Sequence, residues 1–242
     1  MTPLFEDNMI IIVEKPAGVL SQGDYSGDKT LIDAVKNYLK IKYDKPGNVF
    51  LGVIHRLDRQ VSGIMVFARN SKAASRLSEQ MREKKFIKFY TAIVPDSGNL
   101  SDEWIKIKNY IRREKNISYC SSEKRKDSQD AVLYFKKIAG NEGNALLLIF
   151  LETGRKHQIR STMASLKIPV AGDSLYGSDK FFSKNAIALH SCYIEFMHPA
   201  SKEVMKFFNI NSEFNKFFDM NEMKGMLRKE INSFIENKKK HN

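Results

Sequence analysis

Short apolar runs separated by polar stretches that carry glycine or proline dominate this chain, a rhythm that predicts strands more often than helices. Residues Met9 to Val13 form a β-branched run that stops at Lys15-Pro16-Ala17-Gly18, where proline fixes one backbone angle and glycine frees another, so a strand running into a loop is expected. Val49 to Ile54, Ile64 to Ala68 and Phe86 to Val94 read as further strands, the last rich in aromatic and β-branched residues and halted by Pro95. The polar stretch His55 to Gly63 then becomes the loop joining two of them.

Elsewhere the period changes. Leu31, Ala34, Val35, Tyr38 and Leu39 recur at helical spacing behind Thr30, a good N-cap, and this helix is expected to end before Pro46-Gly47. From Ser71, read as a cap, to about Glu83, the residues Ala74, Leu77 and Met81 share one face, with Arg76, Glu79, Arg82 and Glu83 largely elsewhere.

In the second half, Ser101 to Asp130 is polar, basic and broken, and reads as an exposed insertion with at most short strands. Ala131 to Ile138 and Ala145 to Leu151 flank Gly140 to Asn144, which suggests a hairpin with a loop of several residues. Gln158 to Leu166 is expected to be a helix, Gly172 to Gly177 a turn, and Ala188 to Phe196 a strand that pairs with Val204 to Phe208. No repeat of fixed period appears. Strands with interspersed helices, but without regular strand-helix alternation, favour an α+β fold with a mixed, mostly antiparallel sheet flanked by helices and loops. The main domain is expected over residues 1–210, and residues 211–242 read as a basic, helical C-terminal extension.

The chain has 242 residues and is 42% hydrophobic, enough to bury a full core. Its 40 Lys and Arg against 28 Asp and Glu give a formal charge of +12, which attracts polyanions such as RNA, DNA or anionic lipid. The longest apolar runs fall far short of the ~20 residues a spanning helix needs. Met1 to Asn8 has acids and no basic leader, so a cytoplasmic protein is expected. Cys120 and Cys192 lie far apart without metal-like spacing, and the histidines form no H-E-x-x-H pattern, so no metal is expected and the thiols are read as free. Neither a G-x-G-x-x-G nor a phosphate-loop motif is present, and no nucleotide cofactor is indicated.

Two stretches carry the chemistry. His55-Arg56-Leu57-Asp58, with Ser62-Gly63 behind it, sets one carboxylate among basic side chains, and Gly154-Arg155-Lys156-His157-Gln158-Ile159-Arg160 gathers two guanidiniums, an imidazole and an amide. A guanidinium beside a lone aspartate keeps it ionised and fixes its direction, which suits a nucleophile or a base.

The residues His55 to Gly63 resemble the H-R-L-D-x-x-T-S-G motif of RluA-type pseudouridine synthases. Lys15 to Gly18, Lys88-Phe89-Tyr90, Gly154 to Arg160, Gly172 to Gly177 and Leu189-His190 through His198-Pro199 are similar to further segments of that family, in its order. The resemblance spans roughly residues 9–208. It implies a pseudouridine synthase fold with an active-site cleft across the sheet, and isomerisation of uridine in RNA without a cofactor: the base leaves C1′ through N1, turns, and rejoins through C5. It implies Asp58 as the catalytic carboxylate, attacking sugar or base or removing a ribose proton, with Arg160 as its partner and Tyr90 packed on the base. Arg56, Arg155, His157 and Gln158 are the implied nucleotide-binding residues, and Lys84, Lys85, Lys88, Arg112, Arg113 and Lys124 to Lys126 supply charge for phosphates. The implied partner is ribosomal or transfer RNA, with no DNA, no membrane and a monomeric enzyme expected.

Val61 stands where the motif usually has threonine, and Ser161-Thr162 where valine and histidine are common, departures that bear on substrate more than on reaction. No S4 RNA-binding domain is expected before the resembling region, and recognition is expected to rest on the catalytic domain and its insertions. Two other readings compete: a catalytically silent RNA-binding protein, and a glycoside or nucleoside hydrolase, which ordinarily needs a pair of carboxylates.

Overall fold

The computed structural model describes residues 1–23, 27–96 and 98–240. In chain order its elements are β1 (Phe5–Glu6), β2 (Ile10–Lys15), α1 (Leu31–Lys42), β3 (Gly52–Val53), β4 (Ser62–Ala68), α2 (Ser71–Arg82), β5 (Ile87–Pro95), β6 (Ile105–Glu114), β7 (Ile117–Ser121), β8 (Gln129–Asn141), β9 (Asn144–Leu151), α3 (Gln158–Ser165), β10 (Leu189–Met197), β11 (Val204–Phe208) and α4 (Met220–Lys240). Single 3-10 turns lie at Ser174–Tyr176 and Ser212–Lys216. The class is α+β with mostly antiparallel pairing, as the strand-rich pattern predicts. The chain forms two compact units, one of Met1–Lys88, Lys184–Ala186 and Ser191–Asn209, the other of Phe89–Ser183, Ile187–His190 and Ile210–Asn242. Positions 241–242 of the expected C-terminal extension lie outside the described residues.

In the first unit the strands run β1-β2-β4-β10, with β11 beside β10 and β3 beside β4. Ile10, Ile12, Ile64, Val66 and Ala68 meet Ala73 and Leu77 of α2 together with Phe86, Ile194 and Phe196 in one buried cluster. The Phe86 and Phe196 rings stack at 5.1 Å. Thr30 caps α1 in a reciprocal box with Asp33. Two expectations fail here for local reasons. The cap of α2 is Asn70, whose side chain accepts from Ala73 N at 2.9 Å, so Ser71 is already helical. Asparagine caps as well as serine does. The strand expected over Val49 to Ile54 shrinks to Gly52–Val53, which pairs only with Phe67 and Ala68; β4 is already flanked by β2 and β10.

In the second unit the order is β5-β9-β8-β6-β7. The β8–β9 hairpin turns on two residues, Glu142 (φ 48) and Gly143 (φ 70), with Asn141 opposite Asn144. Two successive positive φ values suit the twist of a hairpin, so the strands extend through what the sequence suggests is a longer loop. The segment 101–130 is likewise more regular than expected, containing β6, β7 and the start of β8. Ile105-Lys106-Ile107-Lys108 alternates half-buried isoleucine with exposed lysine, a strand pattern masked by the charge. Helix α4 lays Phe234 among Trp104 (4.4 Å between ring centres), Phe150 (4.9 Å), Tyr134 (5.4 Å) and Phe89 (5.6 Å). Lys238 closes over Phe150 at 4.4 Å and pairs with Glu152 at 2.9 Å.

Candidate active site

The loop between β3 and β4 belongs to the first unit, and its backbone is fastened on both sides of Asp58. His55 is buried, and its Nε2 accepts from Val66 N at 3.2 Å. Burial, reinforced by the charge of Lys88, pulls its pKa down to about 3, so the imidazole is neutral and pins the start of the loop to β4. Buried Ser21 takes both backbone groups of Leu57: Leu57 N donates to its Oγ at 3.1 Å, and the hydroxyl donates to Leu57 O at 2.6 Å. Val61 N donates to Asp58 O at 3.0 Å, closing a turn directly after the aspartate. Arg59 is tied to Gly18 in both directions, Gly18 N to Arg59 O at 2.8 Å and Arg59 Nε to Gly18 O at 3.0 Å.

Beneath this loop lies Lys15, whose side chain is fully buried. Its ammonium donates to the carbonyls of Pro16 (2.9 Å), Val19 (2.7 Å) and Arg59 (3.1 Å). Burial lowers its pKa to about 7, opposed by the negative charge of Asp58 and aided by the positive charge of Arg59. Asp58 is thus half-buried on a loop whose flanking peptides are fixed from both sides, while Arg56 is exposed. Gly63, at φ 130, closes the motif where β4 passes so near Ser191 that a Cβ would collide with its backbone. Lys88, expected to face phosphates, is instead buried on β5, and burial lowers its pKa to about 8.

The remaining candidates sit in the second unit. Tyr90 is buried on β5 opposite Ile149 of β9. After β9 the chain bends through Thr153 to His157 and enters α3, and the buried amide of Gln158 organises that bend. Its Oε1 accepts from Thr153 Oγ1 (2.9 Å) and Arg155 N (3.0 Å), and its Nε2 donates to Val132 O (3.1 Å). An amide engaged this way shapes the loop, a different task from the nucleotide contact expected of it. Arg155 is exposed, with Nε donating to Asp130 O at 3.0 Å. His157 precedes the helix in the left-handed region (φ 53, ψ 24) and makes a 3.0 Å hydrogen bond through Nδ1 to the Tyr176 hydroxyl. Arg160, buried on α3, binds Asp173 with two prongs, Nε to Oδ2 and Nη2 to Oδ1, both at 2.7 Å. Its guanidinium carbon lies 5.1 Å from the centre of the Tyr176 ring.

Sequence reasoning therefore located the two loops but missed their supports: Lys15 and Ser21 under the first, Asp173 and Tyr176 behind the second. Three of these lie within or beside motif segments, yet nothing in the spacing announces what they hold. Among the described residues no cluster of His, Cys, Asp and Glu fits a metal ion, and no helix is long and apolar enough to cross a membrane.

Comparison with known proteins shows the family. The model of the RNA pseudouridylate synthase family matches residues 9–165. The chain is 35% identical over 208 residues to the uncharacterized RNA pseudouridine synthase YhcT of Bacillus subtilis, covering 84% of this chain and 66% of that protein. It is 33% identical over 223 residues to the ribosomal large subunit pseudouridine synthase D of Xanthomonas campestris, covering 84% and 63%. It thus spans just under two thirds of the length of either relative. The human RNA Pseudouridylate Synthase Domain Containing 1 shares the fold, with a TM-score of 0.72 at 20% identity and 94% of each chain covered. Motif, fold and relatives converge, and the chain belongs to the RNA pseudouridylate synthase family.

Proposed function

We propose that this protein converts uridine to pseudouridine in structured RNA, with Asp58 as the reacting carboxylate. The observation that carries this reading is the setting of Asp58: a single acid on a loop locked by Ser21, Gly18 and the buried ammonium of Lys15. A reacting group gains most from a backbone that cannot wander, because little reorganisation is left for the transition state. The isomerisation needs no redox partner: the N1–C1′ bond breaks, a C5–C1′ bond forms, the proton of C5 is released and N1 gains one. Each route open to the aspartate, attack on sugar, attack on base or removal of a ribose proton, uses one ionised oxygen.

In this reading Arg160 is the cation that directs and balances the carboxylate, held for that task by Asp173. Tyr90 supplies a flat ring for the uracil face. Arg56 and Arg155, both exposed, meet phosphates, and His157 meets the everted nucleotide. Eversion costs roughly a few kcal/mol. The net charge of +12 provides the longer-range attraction to RNA. The substrate is ribosomal or transfer RNA, met by a cytoplasmic monomer.

The test is a map of pseudouridine across total RNA from cells with and without the protein, joined to in vitro turnover by the Asp58→Ala variant. A site that vanishes without the protein is expected. The variant should lose turnover while its affinity for that RNA stays within a few-fold. An unchanged map, or equal loss of affinity and turnover, would sink the assignment.

A further inference from the structure

Tyr176 ends the 3-10 turn that begins at Ser174, and its hydroxyl meets three groups at once: the N–H of Ser118 at 2.9 Å, the carbonyl of Ser118 at 3.1 Å and Nδ1 of His157 at 3.0 Å. Ser118 lies on β7, the last strand of the order β5-β9-β8-β6-β7. An edge strand turns a row of N–H and C=O groups away from the sheet. Here the tyrosine hydroxyl takes the place of a neighbouring strand for one residue.

The proton count then fixes the histidine. A phenol has one proton to give and lone pairs to receive with. The Ser118 carbonyl has only lone pairs, so its 3.1 Å contact is a hydrogen bond when the phenolic proton points at it. The Ser118 N–H fills one acceptor position on the hydroxyl. The 3.0 Å contact to His157 is attractive only if Nδ1 carries a proton and donates it. With all three contacts made as hydrogen bonds, the neutral ring is the Nδ1–H tautomer and Nε2 holds the lone pair. Ser118 adds a further tie, its hydroxyl donating to Lys156 O at 2.7 Å, directly before His157. His157 itself is held at φ 53, and the ring of Tyr176 lies against the Arg160 guanidinium.

We infer that Tyr176 is a positioning residue for the reaction: its hydroxyl sets the tautomer and direction of His157 so that Nε2 accepts a hydrogen bond from the bound nucleotide. The same hydroxyl ties the β6–β7 hairpin to the turn that leads into α3 and Arg160. The inference rests on the proposed reading of the site, in which His157 meets the nucleotide.

Tyr176→Phe tests it, because the ring beside Arg160 remains and only the hydroxyl goes. The first readout is the long-range proton–nitrogen NMR spectrum of the His157 imidazole in the full chain at alkaline pH, assigned by loss of its signals in His157→Asn. The wild type should show the Nδ1–H pattern, and Tyr176→Phe should move toward the Nε2–H form. The second is single-turnover pseudouridine formation on total RNA from cells lacking the protein. Its rate should fall about tenfold, with RNA affinity within about twofold of wild type. A wild-type spectrum of the Nε2–H form overturns the inference, whether or not the variant folds. So does an unchanged rate, an unchanged tautomer in the variant, or a loss of RNA binding as large as the loss of rate. If the wild type turns over no RNA at all, the functional reading fails, while the spectrum still decides the link between Tyr176 and His157.

Discussion

Arg160 and Asp173 face each other through two parallel hydrogen bonds of 2.7 Å, with both side chains buried. A guanidinium presents its donors as a rigid fork that fits a carboxylate, so the pair fixes the plane of Arg160 as well as its position. Removing Asp173 takes away both of these bonds from a buried guanidinium. Asp173→Ala is expected to destabilise the protein by about 3 kcal/mol, because the buried arginine loses a two-pronged, oppositely charged partner. Urea unfolding followed by circular dichroism measures this directly, and a cost below about 1 kcal/mol would mean that other groups already satisfy Arg160.

Lys15 makes a prediction about pH. Three ammonium protons meet three carbonyls, yet burial brings the pKa from 10.5 down to about 7, with Asp58 opposing the shift and Arg59 adding to it. In the unfolded chain the lysine keeps its ordinary pKa. Between the two values the unfolded state binds more protons than the folded state, so the contribution of this group to stability rises with pH. Below about 7 both states are protonated and the contribution is flat. Relative to Lys15→Met, the unfolding free energy of the wild type should therefore grow by up to about 1.4 kcal/mol per unit from about pH 7.5 to about 9.5. A difference that stays constant over that range would show that the buried ammonium keeps its proton.

Much of this was legible in the chain, and the illegible parts share a cause. Period and caps predict β2, β4, β5, α1 and the pairing of β10 with β11, because each bears its own burial pattern. The H-R-L-D and H-Q-I-R stretches stand out because several charged or polar side chains crowd into a few positions. Lys15 reads as an ordinary surface lysine, since lysine is almost never fully buried. Its burial depends on Arg59 O, 44 positions away. Asp173 takes its meaning from Arg160, 13 positions earlier, with the rest of helix α3 and the loop after it between them. Charge also conceals structure, as in β6, where lysines occupy the outward positions of an alternating strand. Contacts that span the chain fix these features, and local propensity says little about them.

Gly63 separates close approach from simple backbone preference. An ideal Cβ there would collide with the backbone nitrogen of Ser191 and lie 2.5 Å from its carbonyl oxygen, on a residue at φ 130. Gly177 also has a positive φ, 87, but nothing lies within 4 Å of its Cβ position. Gly177→Ala should then cost about 1–2 kcal/mol, the penalty of left-handed backbone alone. Gly63→Ala should cost more than about 4 kcal/mol or prevent soluble expression, because β4 and the Ser191 strand must separate. Thermal melting of the two variants side by side gives the comparison, and equal losses would contradict the packing at Ser191.

The C-terminal helix can be read through a single reporter. Trp104 is the chain's one tryptophan, and its ring centre lies 4.4 Å from that of Phe234 on α4. Phe234 also meets Phe89, Tyr134 and Phe150, so α4 covers strands β5, β8 and β9 through this one side chain more than through any other aromatic contact. Its ring is half-buried, which places the cost of Phe234→Ala near the low end for an aromatic truncation, about 3 kcal/mol. Water reaching the vacated space should shift Trp104 emission to longer wavelength in the native variant, before any denaturant is added. In the wild type, loss of Trp104 fluorescence and loss of helical circular dichroism should coincide in urea, since the helix and the sheet it covers unfold together. Emission unchanged by Phe234→Ala, or a helical transition well ahead of the fluorescence one, would mean that α4 contributes little to the unit it packs on.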